Sequence, residues 1–329
     1  MTERELELGL GLENSNIDNA NDFYNIEGEW ENPEINSIYF LCINFLFGLC
    51  LGIVGYFLDI KEIQLQNSYS WLIELSKILI IVLLFFHGYM RYKFQNIQVQ
   101  YTRKIFHVIT QFILPLLAYK TYQDRKNKAD ENGFNLLYYS LYECIWSSFF
   151  INLGIILMCK PIRKLDNFLG YFTRISFLAI DRLEDRPYTL LWLILQISAV
   201  SCVETPMTLW FISKGKFHLF WIPIFASGLG DGLAEIVGKK WGKHKYYIYS
   251  LCSDRKYTRS VEGSLCVWFF TLVGTLIGYN YYNTKQLIFS LSVIPTLTTI
   301  VEAISPHTFD NHFIFGIIWL NLWFIFDIL

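Results

Sequence analysis

The sequence predicts an all-α, polytopic membrane protein, a transmembrane helical bundle of about nine spans behind a disordered acidic tail. Of its 329 residues, 53% are hydrophobic and only 17% are charged, whereas soluble domains usually carry about 25% charged residues. The apolar residues come in blocks of about 20, the length that crosses a hydrocarbon layer of about 30 Å. This distribution excludes a secreted disulfide scaffold, and the charge balance of −2 excludes a nucleic-acid binder on electrostatic grounds.

The apolar blocks define the predicted spans. They cover residues 37–58, 70–90, 105–119, 136–158, 188–212, 218–237, 264–281, 287–304 and 313–329. The stretch 168–180 is apolar but short and contains Arg174, so we expect an interfacial or re-entrant piece there. No Walker A, kinase glycine loop or Rossmann fingerprint is present.

Charge patterning predicts the orientation of the chain. Loops on one side of the predicted bundle carry roughly twice as many Lys and Arg residues as the others, so that side should face the cytosol. Residues 1–36 contain ten acidic residues and one basic residue, Arg4. This segment lacks the features of a signal or transit peptide, and its composition predicts a disordered cytosolic tail. The seven cysteines include no CxxC pair and are interpreted as packing residues.

The first polar cluster lies near the end of the sixth predicted span. It reads Gly-Leu-Gly230-Asp231-Gly232-Leu-Ala-Glu235-Ile-Val-Gly238, followed by Gly242 and lysines up to Lys245. If the segment from Asp231 is helical, both carboxylates lie one turn apart on a face bare of other side chains. Mg²⁺ is typically held by one or two carboxylates together with phosphate oxygens. The alternative is close helix packing through small residues.

Two more clusters lie next to the seventh and eighth predicted spans. The second cluster precedes the seventh span, and the third cluster follows the eighth. The second combines cations, hydroxyls and a glycine at a helix start, where anions bind readily; its alternative is a basic loop on anionic headgroups. Its members include Lys256, Arg259, Ser260, Glu262, Gly263 and Ser264. The third places Glu302 before Pro306 and Asp310-Asn311, either a metal- or hydroxyl-binding wall or ordinary turn chemistry.

A fourth, weaker cluster is Arg103-Lys104-Ile-Phe-His107 at the mouth of the third predicted span. The two cations can simply extend toward water. His107 lies one turn further in, where it could contact a phosphate or cap the helix.

Together these motifs resemble the CTP-using lipid kinases, namely phytol, farnesol and dolichol kinases and the CTP-dependent diacylglycerol kinase. The resemblance rests on the Arg-Lys-x-x-His, Gly-Asp-Gly-Leu-Ala-Glu, Arg-Ser-Val-Glu-Gly-Ser and Val-Glu…Asp-Asn elements, in that order over residues 103–311. Glu235 stands where that family more usually has Asp. The Gly-Asp-Gly-Leu-Ala-Glu and Arg-Ser-Val-Glu-Gly-Ser elements are also similar to part of phosphatidate cytidylyltransferase, whose long C-terminal signature has no counterpart in this chain.

The resemblance implies a catalytic transmembrane domain over residues 37–329 that transfers phosphate from CTP to a lipid alcohol, most simply an isoprenoid alcohol. We expect it in the endoplasmic reticulum with its site facing the cytosol; oligomeric state is left open. Diacylglycerol kinase, cytidylyltransferase and transporter activities are the alternatives.

The hypothesis assigns catalysis to Asp231, Glu302 and Asp310, magnesium binding to Asp231 and Glu235, and a supporting role to Asn311. It assigns phosphate binding to Arg103, Lys104, His107, Gly230, Gly232, Gly238, Gly242, Lys245, Lys256, Arg259, Ser260, Glu262, Gly263 and Ser264.

Overall fold

The computed structural model describes residues 46, 48–50, 52–53, 70–94, 97–117, 119, 122–123, 126, 136–182, 185, 189–250 and 256–328. The predicted tail and most of the first predicted span lie outside these residues. In the described part the chain is almost entirely helical, which confirms the all-α prediction.

The helices follow the predicted apolar blocks closely. In chain order they are α1 (Ser70–Lys93), α2 (Val99–Val108), α3 (Leu136–Met158), α4 (Phe168–Leu178), α5 (Thr189–Ser213), α6 (Phe217–Trp241), α7 (Val261–Ile277), α8 (Thr284–Ile304) and α9 (Asp310–Asp327). A single turn, Lys160–Arg163, precedes α4. Within the described residues, α5, α6 and α8 are long and apolar enough to cross a membrane; the count of nine spans stays a prediction.

The sequence analysis did not predict a two-stranded hairpin between α6 and α7. Strands β1 (Lys245–Tyr249) and β2 (Lys256–Ser260) pair antiparallel, with Lys245 opposite Ser260 and Tyr249 opposite Lys256. Their high content of Tyr suits a strand, but the basic residues around it indicated only a loop. The hairpin leads directly into α7.

Within the part of the chain that the structure describes, three helices contain π-helical turns, which were also not predicted. They are Ile109–Ile113 continuing α2, Val200–Glu204 within α5 and Ile224–Asp231 within α6. Such turns are rare and frequently lie at functional sites. The third one ends at Asp231, the first carboxylate of the predicted metal pair.

The apolar core lies among α5, α6, α8 and α9. Its fully buried side chains include Met207, Phe211, Ile222, Ile318 and Leu322. Close helix approach requires glycine at Gly228, where a Cβ atom would lie 2.6 Å from the carbonyl oxygen of Gln111. This contact joins α6 to the end of α2 and so sets the distance between the first and fourth sequence clusters.

Helix ends are capped by side chains that the sequence supplies at the right positions. Ser260 caps α7 by accepting a hydrogen bond from the amide of Gly263. Asn283 and Gln286 form a reciprocal capping box at the start of α8. Caps of this kind are worth about 1 kcal/mol each, and the Ser260 cap places β2 at the start of α7.

Candidate active site

The four sequence clusters meet at one end of the helical bundle. The second half of α2 supplies Lys104 and His107, the second half of α6 supplies Asp231 and Glu235, and β2 supplies Arg259. The end of α8 and the start of α9 add the carboxylates of Glu302 and Asp310. We call this set of charged residues the ion-pair cluster.

Lys104 lies at the centre of the ion-pair cluster. Its ammonium group is 3.5 Å from Oδ2 of Asp231 and 3.8 Å from Oε2 of Glu235, and it donates a 3.0 Å hydrogen bond to the Asp231 carbonyl. The residue is only 6% exposed. A buried ammonium is stable only when anions surround it, so Lys104 holds the two predicted metal ligands together.

His107 contacts the same carboxylate from the next turn of α2. Its Nε2 atom lies 3.4 Å from Oδ2 of Asp231 and 3.1 Å from the carbonyl oxygen of Ser227. The hydroxyl of Ser227 in turn donates to the amide oxygen of Asn311, at 2.9 Å. Through these contacts α2, α6 and α9 are joined by polar groups just beside the carboxylates.

Arg259 joins the other two carboxylates of the ion-pair cluster. Its guanidinium lies 2.9 Å from Oε1 of Glu302 and 3.1 Å from Oδ2 of Asp310, and it also donates to the Glu302 carbonyl. Burial alone would lower the pKa of Arg259, but the surrounding carboxylates, Asp231 among them, outweigh this effect and raise it. The first and third sequence clusters therefore lie within electrostatic range of the same guanidinium.

The turn that carries Asp310 contains a strained residue. Thr308 has a φ of 67° and is buried, although left-handed backbone is unusual for a β-branched residue. Strain of this kind is worth roughly 1–3 kcal/mol and is retained only where neighbouring contacts enforce it. Here, the backbone amide of His307 donates to the carbonyl of Tyr249 at 3.0 Å, and this bond ties the turn to β1.

Three residues that the sequence analysis did not assign to the site extend the ion-pair cluster. Asp185 lies 3.0 Å from Arg103, 2.7 Å from Arg182 and 3.2 Å from the ring of His307. Arg182 also lies 3.2 Å from Oε1 of Glu235. The charged residues at 181–186, between two apolar blocks, could have indicated a functional site. They were used only to predict which side of the membrane this loop faces.

Asp185 is a carboxylate whose charge is strongly stabilised. Burial alone would raise the pKa of Asp185, but the hydrogen bond with His307 and the charges of Arg182 and Arg103 outweigh burial and lower it. Burial lowers the pKa of His307 in spite of the neighbouring Asp185. The pair is thus an anion beside a neutral imidazole near neutral pH.

The predicted glycines pack helices closely. A Cβ atom at Gly238 would lie 2.7 Å from Oγ of Ser260, and one at Gly263 would lie 2.7 Å from the Ala234 carbonyl. Gly230 and Gly232 similarly face α7 and α2, while Gly242 caps α6. The geometry of these glycines fits the packing alternative, and phosphate binding by them stays a prediction.

Several predicted phosphate-binding residues lie on the exposed hairpin side, away from the buried carboxylates. Lys245 is exposed, and the ammonium of Lys256 lies over the Tyr249 ring at 5.5 Å. Glu262 pairs with His244 at 2.8 Å near the surface. Ser264, in contrast, reaches the cluster by donating to Glu302 at 2.9 Å.

Asp231 and Glu235 are suitable ligands for a magnesium ion. They offer hard carboxylate oxygens that already share one cation, the Lys104 ammonium. Among the described residues, no group of three or more His, Cys, Asp or Glu side chains is arranged to hold a metal. Two carboxylates supplemented by phosphate oxygens are a common magnesium site, so the residues present fit a metal that arrives with a nucleotide.

One curated protein resembles part of this chain. It is a phytol kinase from Synechocystis sp., 28% identical over 105 residues, or 30% of this chain and 42% of that protein. The chain thus spans less than half the length of this relative. No family model and no solved structure matches the chain. The distant, partial match agrees with the kinase resemblance that the motifs indicate.

Proposed function

We propose that this protein is an integral-membrane kinase that transfers the γ-phosphate of CTP to a lipid alcohol, most simply an isoprenoid alcohol. One observation supports this above all others. Asp231, Arg259 and Asp310, which are far apart in sequence, belong to one ion-pair cluster at one end of an apolar helical bundle. The similarity to a phytol kinase supports the same class of reaction.

Asp231 and Glu235 would hold the magnesium ion. When bound, the metal neutralises charge on the phosphates and favours loss of the nucleoside diphosphate. Lys104, which contacts both carboxylates, keeps them close together and presents a cation to the same space. A lysine in this position suits phosphate because its ammonium is a compact charge with three donors.

The cations of the ion-pair cluster would bind the triphosphate. Arg103, Lys104 and Arg182 each lie within 4 Å of a carboxylate that could instead pair with a metal. If the carboxylates paired with a metal ion, the guanidinium and ammonium groups would be free to donate hydrogen bonds to phosphate oxygens. Phosphoryl transfer depends mainly on such positioning and neutralisation.

The acceptor alcohol would enter from the bilayer with its hydroxyl directed toward the end of the bundle that holds Glu302 and Asp310. Its oxygen attacks the γ-phosphorus, the bond from that phosphorus to the bridging oxygen breaks, and CDP leaves. The hydroxyl proton passes to one of the two carboxylates that Arg259 holds. We place this chemistry on the cytosolic face of the endoplasmic reticulum membrane, following the orientation that the loop charges predict.

The test is product identification with purified, reconstituted protein. Isoprenoid alcohols, diacylglycerol and phosphatidate are each incubated with γ-labelled CTP or ATP and magnesium. We expect label in an isoprenoid phosphate, with CTP preferred over ATP. An unlabelled CDP-lipid formed with release of labelled pyrophosphate, or no lipid product from any acceptor, would contradict the proposal. Labelled phosphatidate formed from diacylglycerol would identify diacylglycerol, the alternative acceptor, as the substrate.

A further inference from the structure

An apolar groove lies beside the ion-pair cluster, between β1 and the end of α8. Its walls include Tyr246, Tyr247, Tyr249, Ala303, Ile304 and Pro306, none of which is charged. Ile304 is 72% exposed at the last position of α8. A groove lined by aromatic and aliphatic groups fits an apolar chain better than a phosphate or a sugar.

The groove lies at a boundary between apolar and charged parts of the molecule. Helix α8, apolar and long enough to cross a membrane, ends in the groove at Ile304, and α6, which is also long enough, ends at Trp241 shortly before β1. The ring of Trp241 is exposed, and the ammonium of Lys240 lies 4.8 Å from its centroid. Aromatic rings with neighbouring cations are typical of membrane–water interfaces, so the groove is within reach of a lipid in the bilayer.

A chain of hydrogen bonds leads from the groove to the ion-pair cluster. The hydroxyl of Tyr246 lies 2.8 Å from Oγ of Ser264, which donates to Oε2 of Glu302 at 2.9 Å. Since the proton of Ser264 is used toward Glu302, Tyr246 must be the donor in the first bond. The oxygen of Tyr246 also shares a hydrogen bond with the Arg259 side chain, and the second lone pair of this phenolic oxygen can accept a further hydrogen bond.

We infer that this groove is the acceptor subsite, in which the hydrocarbon chain of a lipid alcohol lies against Ile304 and Tyr247 and its hydroxyl donates to Tyr246. The inference rests on the proposed function and adds the place and the residue that select the acceptor. A groove that has no charged side chain and includes the Tyr246 hydroxyl matches a molecule with one hydroxyl and a long apolar chain. Glu302 then lies three hydrogen bonds away from that hydroxyl, along Tyr246 and Ser264, and this path connects the alcohol proton to the carboxylate that pairs with Arg259.

The first experiment fills the groove. Ile304→Trp should raise the KM for the lipid alcohol by about tenfold, since lost apolar contact and steric exclusion both weaken binding, while the KM for CTP stays within about twofold. Ile288→Trp is the matched control, because Ile288 is 63% exposed near the other end of the same helix. An unchanged alcohol KM in Ile304→Trp, with wild-type kinase activity present, would overturn the groove assignment.

A second variant tests the hydroxyl contact. Tyr246→Phe removes one hydrogen bond and should raise the alcohol KM by about fivefold, the equivalent of about 1 kcal/mol. Tyr279→Phe, an exposed tyrosine beyond the far end of α7, should behave as wild type. An effect of Tyr246→Phe on the CTP KM alone would contradict the assignment.

Photolabelling separates this inference from the proposed function, because it requires no turnover. An isoprenoid alcohol with a diazirine near its hydroxyl is irradiated with the reconstituted protein without nucleotide, and the labelled peptides are sequenced. We expect label in residues 246–249 or 303–306, reduced in Ile304→Trp but not in Ile288→Trp. Label confined to other helices would overturn the groove even if the protein is a kinase. Label in the groove of an inactive protein would support the groove and refute only the kinase.

Discussion

Two cationic regions of this protein have the same residue types but differ in how their charges are paired. In the ion-pair cluster, the side chains of Lys104 and Arg259 are 7% and 15% exposed and each contacts two carboxylates. On the hairpin side, Lys245 and Lys256 are exposed, and Lys256 lies over an aromatic ring. All four residues were predicted from the sequence to bind phosphate.

The difference shows why the two regions should respond differently to substitution. Removing one partner of a buried ion pair leaves a charge that neither water nor protein stabilises, a loss of about 3–5 kcal/mol. An exposed charge remains hydrated and contributes roughly 0–1 kcal/mol to a pair. The buried cations should therefore determine both folding and chemistry, whereas the exposed ones should act by long-range attraction of a nucleotide.

The largest effect is expected at Arg259. Arg259→Met leaves Glu302 and Asp310 unpaired and should lower phosphate transfer by at least about 100-fold, with a loss of stability of about 3 kcal/mol. Arg259→Lys keeps the positive charge but cannot contact both carboxylates in the same way. Its transfer rate should therefore lie between those of the wild type and Arg259→Met. Transfer rates and thermal unfolding in detergent measure both variants. An Arg259→Met variant with wild-type activity would contradict the claim that the buried cations matter more for phosphate transfer than the exposed ones.

An intermediate, pH-dependent effect is expected at Asp185. Because its pKa is lowered in the folded protein, its ionised form stabilises the fold above the ordinary carboxylate pKa of about 4, and this contribution is lost as pH falls below it. Asp185→Asn should thus be less stable than wild type at pH 7, and the difference should shrink in acid. Thermal unfolding from neutral pH down to about pH 3 measures this, with the exposed Asp166→Asn as control. If the difference in thermal stability between wild type and Asp185→Asn stays constant across this pH range, the ion pairs assigned to Asp185 are contradicted.

The smallest effect is expected on the hairpin side. The double variant Lys245→Ala/Lys256→Ala should raise the KM for CTP by about two- to fivefold at low salt and leave kcat nearly unchanged, since exposed charges mainly attract ligands. The increase should disappear at high ionic strength. A loss of kcat as large as that of Arg259→Met would show that these lysines contact the reacting phosphates.

Much of the architecture follows from local sequence. The apolar blocks predict the helices to within a few residues, as the match of 136–158 with Leu136–Met158 shows. The proximity of the four clusters was also predicted, because each lay at the end of a helix on one side of the bundle. This inference depends only on helix length and loop charge, which are properties that a single sequence contains.

The features that the sequence analysis missed depend on tertiary contacts. The π turn ending at Asp231 is indistinguishable from α-helix by composition, and the hairpin depends on pairing between β1 and β2 across residues 250–255. Arg182 and Asp185 become part of the site only because α2 and the turn at His307 pack against them. Charge pairing of this kind cannot be assigned until the partners are known in space.

The central claim is that the ion-pair cluster performs phosphoryl transfer, and Asp231→Asn tests it most directly. The variant keeps the size of the side chain but replaces one acceptor oxygen by an NH2 donor and removes the charge that pairs with Lys104 and would bind magnesium. Transfer from labelled CTP to an isoprenoid alcohol is compared in wild type, Asp231→Asn and Asp166→Asn, all reconstituted alike and checked for folding by thermal unfolding. The account predicts a loss of at least about 100-fold in folded Asp231→Asn alone. A folded Asp231→Asn protein that transfers phosphate at the wild-type rate would contradict it.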